Sequence, residues 1–173
     1  MSSDIACKLA RNAGIAMILA ATAFLSACQV RPLYSESSGV VEKLSSVGFS
    51  EAGSRVEQQV RNRLIFLASR GAGEAVNPQY RVEMHATSSV ASTLLQESDD
   101  TSKAGRVTVN VAYTLSATAD GHVIKAGSRQ VTSLVDFPEQ EFAKQRAIRD
   151  AENRAADQAA EFVGADIAAA LSR

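Results

Sequence analysis

Apolar and polar positions alternate with two different periods along this chain, and the changes of period divide it into elements. Val107, Val109, Val111, Tyr113 and Leu115 are apolar at every second residue, the period of a strand with one buried face. Tyr80, Val82, Met84 and Ala86 alternate in the same way with Arg81, Glu83 and His85, predicting a second half-buried strand. Asp120-Gly121 reads as a hairpin turn, because Asp-Gly supplies the positive φ angles of a type I′ turn. Val123–Val135 then returns as the partner strand. Gly127 and Arg129 interrupt its alternation, which leaves open a bulge or a ligand-facing stretch. Val40–Phe49 mixes β-branched and other apolar residues and reads as a further strand. The polar stretch Gln96–Gly105 reads as a loop into which the flanking strands can extend.

Two segments follow the helical period instead. Ser50 or Ser54 can cap a helix on which Val56, Val60, Leu64 and Leu67 share a face, with Gly71 and Gly73 as breakers at its end. Asp136, with Glu139 three residues on, resembles a capping box and opens a helix predicted to reach Leu171, roughly 50 Å at 1.5 Å per residue. Ala147, Ala151, Ala155 and Ala159 run along one of its faces, continued by Phe162 or Val163 and Ile167. Small side chains there permit close approach to a sheet. The order β-α-β-β-β-α predicts an α+β fold, a two-layer sandwich of about four strands with two helices on one face. The first crossover is expected to be right-handed if its two strands are parallel neighbours.

The N-terminus has a different character. Lys8 and Arg11 precede an uncharged apolar run, Ala13–Phe24, and then Leu25-Ser26-Ala27-Cys28. The run has the length of a signal-peptide core and falls short of the ~20 apolar residues of a membrane helix. Leu-Ser-Ala-Cys resembles the lipobox of bacterial lipoproteins, which implies a diacylglyceryl group on the Cys28 thiol, cleavage before Cys28 and acylation of the new amino group. The thiolate is the nucleophile such a lipid transfer requires, and two or three acyl chains anchor stably where one is marginal. Residues 1–27 are thus expected to be a cleaved signal, 28–39 a lipidated tether and 40–173 a single domain. In such lipoproteins an aspartate after the cysteine commonly retains the protein at the inner membrane. Gln29 resembles the default class, sorted to the periplasmic side of the outer membrane.

Composition narrows the function further. The chain has a net charge of −1; removing Lys8 and Arg11 together with Asp4 takes it to −2, and nothing in that balance suggests nucleic acid. Cys7 leaves with the signal, so Cys28 is the remaining thiol, and neither a disulfide within the chain nor a cysteine metal site is expected. With no Trp and 5% aromatic residues, the core must rest on small aliphatics. His85 and His122 have no Cys or carboxylate partner at common metal-ligand spacing and read as surface histidines. Ser88, Ser89 and Ser92 lie in no Gly-x-Ser-x-Gly elbow, and the adjacent Asp99 and Asp100 suit a solvated loop. Arg55, Arg61, Arg63 and Arg70 give the first long helix a basic outer face, which is either a solvated surface or a neighbour for the polar interior of a barrel.

Across almost the whole mature chain the sequence resembles the LptE family of lipopolysaccharide-assembly lipoproteins. The resemblance rests on the lipobox with Arg31-Pro32-Leu33-Tyr34, on Gln58-Gln59-Val60-Arg61-Asn62-Arg63-Leu64 and on Tyr80-Arg81-Val82. It continues in Val109-Asn110-Val111-Ala112-Tyr113-Thr114-Leu115, in Asp136-Phe137-Pro138 and in Ala151-Glu152-Asn153-Arg154-Ala155-Ala156. It implies a non-enzymatic protein without cofactors. Such a protein assists assembly of the outer-membrane barrel LptD, plugs it, and contacts lipopolysaccharide during delivery. Some members carry a basic residue in the loop between the second and third strands; here the tip near Leu95-Gln96-Glu97 is not basic, and the nearest cations are Lys103 and Arg106. Arg129 stands at a second basic family position, seven residues before Asp136. Arg129, Arg106 and Lys103 are therefore the candidate lipopolysaccharide contacts, set against the plainer reading of solvated cations. A periplasmic adaptor or envelope structural lipoprotein is the alternative function.

Overall fold

The computed structural model describes residues 39–96 and 101–172. Its elements are α1 (Val40–Ser45), β1 (Val47–Phe49), α2 (Arg55–Ser69), β2 (Tyr80–Gln96), β3 (Thr101–Ala117), β4 (Val123–Asp136) and α3 (Glu141–Leu171). The four strands form one sheet in the order β1-β2-β3-β4. β1 lies parallel to β2, with Gly48 opposite Arg81, and the two long hairpin pairs are antiparallel. The α+β class and the four-stranded sheet with helices packed against it agree with the sequence reading.

The odd-numbered side chains of β3 enter the core as their alternation predicts. Val107, Val109, Val111 and Leu115 are fully buried, and Val82, Met84 and Ala86 of β2 join them. The long helix lays Ala151, Ala155, Ala159, Val163 and Ile167 on this face. Because these side chains are mostly methyl groups, α3 can lie close to the valine surface without large side chains between them, which keeps packing dense with few aromatics. Beside it α2 buries Val56, Val60 and Leu64. The two helices are parallel neighbours, and polar pairs close their outer seam at every turn of α2. Arg55 pairs with Glu152 and donates to Asn153, Gln59 donates to Asp157, and Arg63 pairs with Glu161. The arginines expected to form a basic outer face are thus largely engaged, with Arg61 held by Glu74 as well.

Four local expectations are corrected. Val40–Phe49 is not one strand: Gly39 adopts φ 64° and leads into a six-residue helix, and only Val47–Phe49 is extended. Val40 and Leu44 both enter the core, an i, i+4 spacing that selects the helix. The Lys43 ammonium also donates to the Leu171 carbonyl at 2.8 Å, placing a cation at the negative end of α3. The observed order is therefore α-β-α-β-β-β-α.

Asp136 does not cap the last helix. It remains in β4, and α3 starts at Glu141 after Gln140, which makes no side-chain cap. Pro138 accounts for the delay, because a residue before proline is steered away from helical backbone. Phe137 instead packs with Val107, Val135 and Ala151 over Gly105, where an added Cβ would lie 2.2 Å from its ring. The turn at Asp120-Gly121 is not type I′ either. Thr118–His122 connects the strands, only Gly121 has positive φ, and its amide closes onto the Ala117 carbonyl. Finally, the bulge falls at Ile124, between the pairs Leu115–Lys125 and Ser116–Val123, rather than at Gly127 or Arg129. The stretch Gln96–Gly105 is strand up to Gln96 and again from Thr101.

Candidate functional site

Arg129 shares its strand parity with Val131 and Val135, so it points to the helix-covered side of β4. There its guanidinium meets Asp166 of α3 in a two-point contact, Nε at 2.6 Å and Nη2 at 2.5 Å. The Tyr113 hydroxyl donates to the same carboxylate at 2.8 Å. Gly127 lies opposite Tyr113 in the ladder, and a Cβ on it would be 2.9 Å from the tyrosine oxygen. The glycine that interrupts the alternation is therefore the space in which Tyr113 lies.

This grouping shifts the proton affinities of its members. The hydrogen bond from Arg129 holds the Asp166 carboxyl below its ordinary value against the opposing effect of burial, and Tyr113 and Lys125 add to the lowering. Burial, and then the adjacent Asp166, push the Tyr113 phenol up to about 12. Asp166, Lys125, Ile124, Ala169 and Ala170 line an open hollow of about 500 Å³ beside the cluster. The chemistry is that of a surface clamp between strand and helix, with a half-exposed guanidinium whose charge is already matched.

The other candidate cations are not part of it. Arg106 has the opposite parity on β3 and is exposed on the bare face of the sheet, between Ala91 and Leu134. Arg129 pairs with Val111, five positions away and on the other face, so the two guanidinium groups start roughly 17 Å apart along the strand direction. Lys103 lies in β3, and its side chain is outside the described residues. Cys28, the expected lipidation site, and residues 29–38 of the expected tether are outside them too. The sequence reading thus grouped three cations without drawing from their strand parity that the sheet separates two of them.

Sequence reasoning missed a second cluster, around Glu57. This carboxylate is the one buried charged side chain among the described residues. It is the third helical residue after the cap Ser54, whose hydroxyl accepts from the Glu57 amide. One carboxylate oxygen accepts from Gly53 N–H at 2.7 Å and the other from Ala86 N–H of β2 at 3.1 Å. His85 Nδ1 lies 3.2 Å from the latter oxygen. Burial alone would raise the pKa of this carboxyl, but the two backbone donors, helped by His85, hold it below its ordinary value. Ser54-x-x-Glu57 was legible as a capping-box spacing; its reach across to β2 was not. A groove of about 600 Å³ opens here, lined by Gly53–Glu57, His85–Ser88 and Glu152.

No protein-family model matches the chain, and no curated protein matches it by sequence. Solved structures do match by fold. A protein from Caulobacter crescentus described as a lipoprotein superposes with a TM-score of 0.62 at 21% identity, over 77% of this chain and 96% of that one. Lipoprotein B from Nitrosomonas europaea gives 0.53 at 14% identity, over 71% and 81%. The rare lipoprotein B of Shewanella oneidensis gives 0.51 at 14% identity, over 71% and 92%. The fold is therefore one carried by bacterial lipoproteins.

Proposed function

We propose that this chain is a lipid-anchored lipoprotein on the periplasmic side of the outer membrane. In this reading it assists assembly of the lipopolysaccharide-transporting barrel LptD, plugs it, and contacts lipopolysaccharide as it is delivered. The observation that carries the reading is the lipoprotein fold matched across most of the chain, arriving on a sequence whose Leu25-Ser26-Ala27-Cys28 resembles a lipobox. Cys28 bears the lipid, and the domain works through its surfaces rather than through catalysis or a cofactor.

The separation of Arg106 from Arg129 reshapes the ligand side of the proposal. The two cannot grip one phosphate or carboxylate together, so they belong to two contacts. Arg106 meets an anion from the bare sheet face. Arg129 does so only by sharing its guanidinium with Asp166, and Lys103 adds charge near the Arg106 end of β3. Charge-assisted hydrogen bonds to such groups are strong when desolvated and weak when the cation stays in water.

Depletion of the protein is the test. The yield of correctly assembled barrel and the outer-membrane barrier to large apolar toxicants should both fall, and Cys28→Ala should abolish acylation. Unchanged barrel assembly together with unchanged surface lipopolysaccharide would leave the adaptor reading in its place.

A further inference from the structure

We propose that the free edge of β2 from Ser88 to Ser92 takes an extended segment of the barrel partner as an added strand. The proposal rests on the barrel-partner reading above, and it specifies the surface and the kind of contact.

β1 pairs with β2 only at Tyr80, Arg81 and Val82. Beyond it the chain supplies substitutes for the missing strand. Ser50 N–H donates to the Val82 carbonyl, Ser50 Oγ accepts from Met84 N–H, and Glu57 Oε1 accepts from Ala86 N–H. Even-numbered residues of β2 thus direct their backbone groups outward, while the strand stays paired with β3 through Ser92. The next outward positions are Ser88, Val90 and Ser92. Among the described residues no strand lies on that side of them, and the Glu57 groove leads directly to them.

The opposite edge of the sheet shows what protection looks like in this molecule. β4 carries Lys125 and Arg129, and Arg154 of α3 reaches down to the Leu134 carbonyl and Ser133 hydroxyl. Charges and covering groups of this kind are how sheets avoid unwanted pairing. Thr87-Ser88-Ser89-Val90-Ala91-Ser92 has no charge and no proline, and Val90 is 46% exposed. Amides and carbonyls at two-residue spacing that meet no partner among the described residues select a polypeptide backbone as ligand, the mode of β-strand addition. Five residues span only ~17 Å of edge, too little for the roughly 1,200–2,000 Å² of a self-standing complex. The edge therefore suits a segment of a partner held at other points as well, rather than a second copy of this chain.

Residue-resolved amide exchange on the full chain, alone and in complex with LptD from the same organism, tests this. The amides of Ser88, Val90 and Ser92 should exchange at least tenfold more slowly in the complex, while Ser89 and Ala91, already facing β3, change little. Val90→Pro removes an outward N–H that has no partner among the described residues, and edge strands tolerate proline. Circular dichroism should stay as in the parent chain while the barrel recovered with the protein falls severalfold. If LptD co-purifies but the three amides are not protected, the edge proposal fails and the partner reading stands. Protection that rises with chain concentration without LptD would assign the edge to a second copy and overturn it. If LptD does not bind the parent chain at all, both readings fall. Should Val90→Pro unfold, the exchange measurement decides alone.

Discussion

Glu57 and Asp166 are both helix carboxylates that reach the sheet, one at each side, and they serve opposite kinds of partner. Glu57 is buried and satisfies backbone: it completes the hydrogen bonding of β2 where β1 has ended. Asp166 is partly exposed and satisfies side chains, matching Arg129 and orienting Tyr113. The first sets where the sheet stops being self-sufficient. The second sets how much of a candidate ligand-binding charge is still available. The same residue type thus determines an edge in one place and a charge in the other, and the difference follows from burial and from what lies within reach.

Removing the buried partner should cost most. Glu57→Ala leaves the Ala86 amide without its acceptor, and an unsatisfied buried donor costs roughly 1–3 kcal/mol. Glu57→Gln keeps one acceptor oxygen and should cost less. Equal, near-zero losses for both variants in urea unfolding would show that water replaces the carboxylate.

Acid should separate the two carboxylates next. Both have folded-state values below their ordinary ones, 4.5 for Glu57 and 3.8 for Asp166. Each therefore contributes stability that is present above the ordinary value and lost as pH falls through the lowered folded value. Stability measured against pH should start to decline near 4.5, Glu57→Gln should remove the earlier part of the decline, and Asp166→Asn the later part. A profile flat from pH 6 to 2 would contradict this assignment.

The smaller effects concern the clamp. Tyr113, at about 12 in the folded protein, should titrate closer to 10 in Asp166→Asn, read by tyrosinate absorbance. Burial should keep it from falling all the way. Because Tyr113 is raised, its contribution to stability is present below pH 10 and lost as pH rises through about 12. The same variant releases Arg129. If Arg129 contacts lipopolysaccharide, Asp166→Asn should tighten binding by up to about fivefold at low salt, the scale of an exposed ion pair. Arg129→Glu and Arg106→Glu should weaken it independently, since they act on opposite faces. No change in any of the three would remove these cations from the ligand account.

Much of the fold was legible because β3 alternates without a fault and α3 carries its alanines at helical spacing. The short elements were not. A six-residue helix and a three-residue strand give too few positions for either period to show, so Val40–Phe49 read as one strand. Asp136 carried the spacing of a capping box, but Pro138 two residues later held the chain extended. At the site, the parity of Arg106 against Val107, and of Arg129 with Val131, already placed the cations on opposite faces. What no local pattern held was the pairing of Arg129 with Asp166, thirty-seven residues on, or that of Glu57 with the amide of Ala86. Both depend on how the helices lie on the sheet.

The central claim, that this domain works as the plug of a lipopolysaccharide-exporting barrel, is tested most directly by extracting native membranes in mild detergent and weighing the intact species that contains the chain. The account predicts a stable complex with LptD that carries the acylated Cys28 chain. Recovery of the chain alone, or with soluble proteins only, would contradict it.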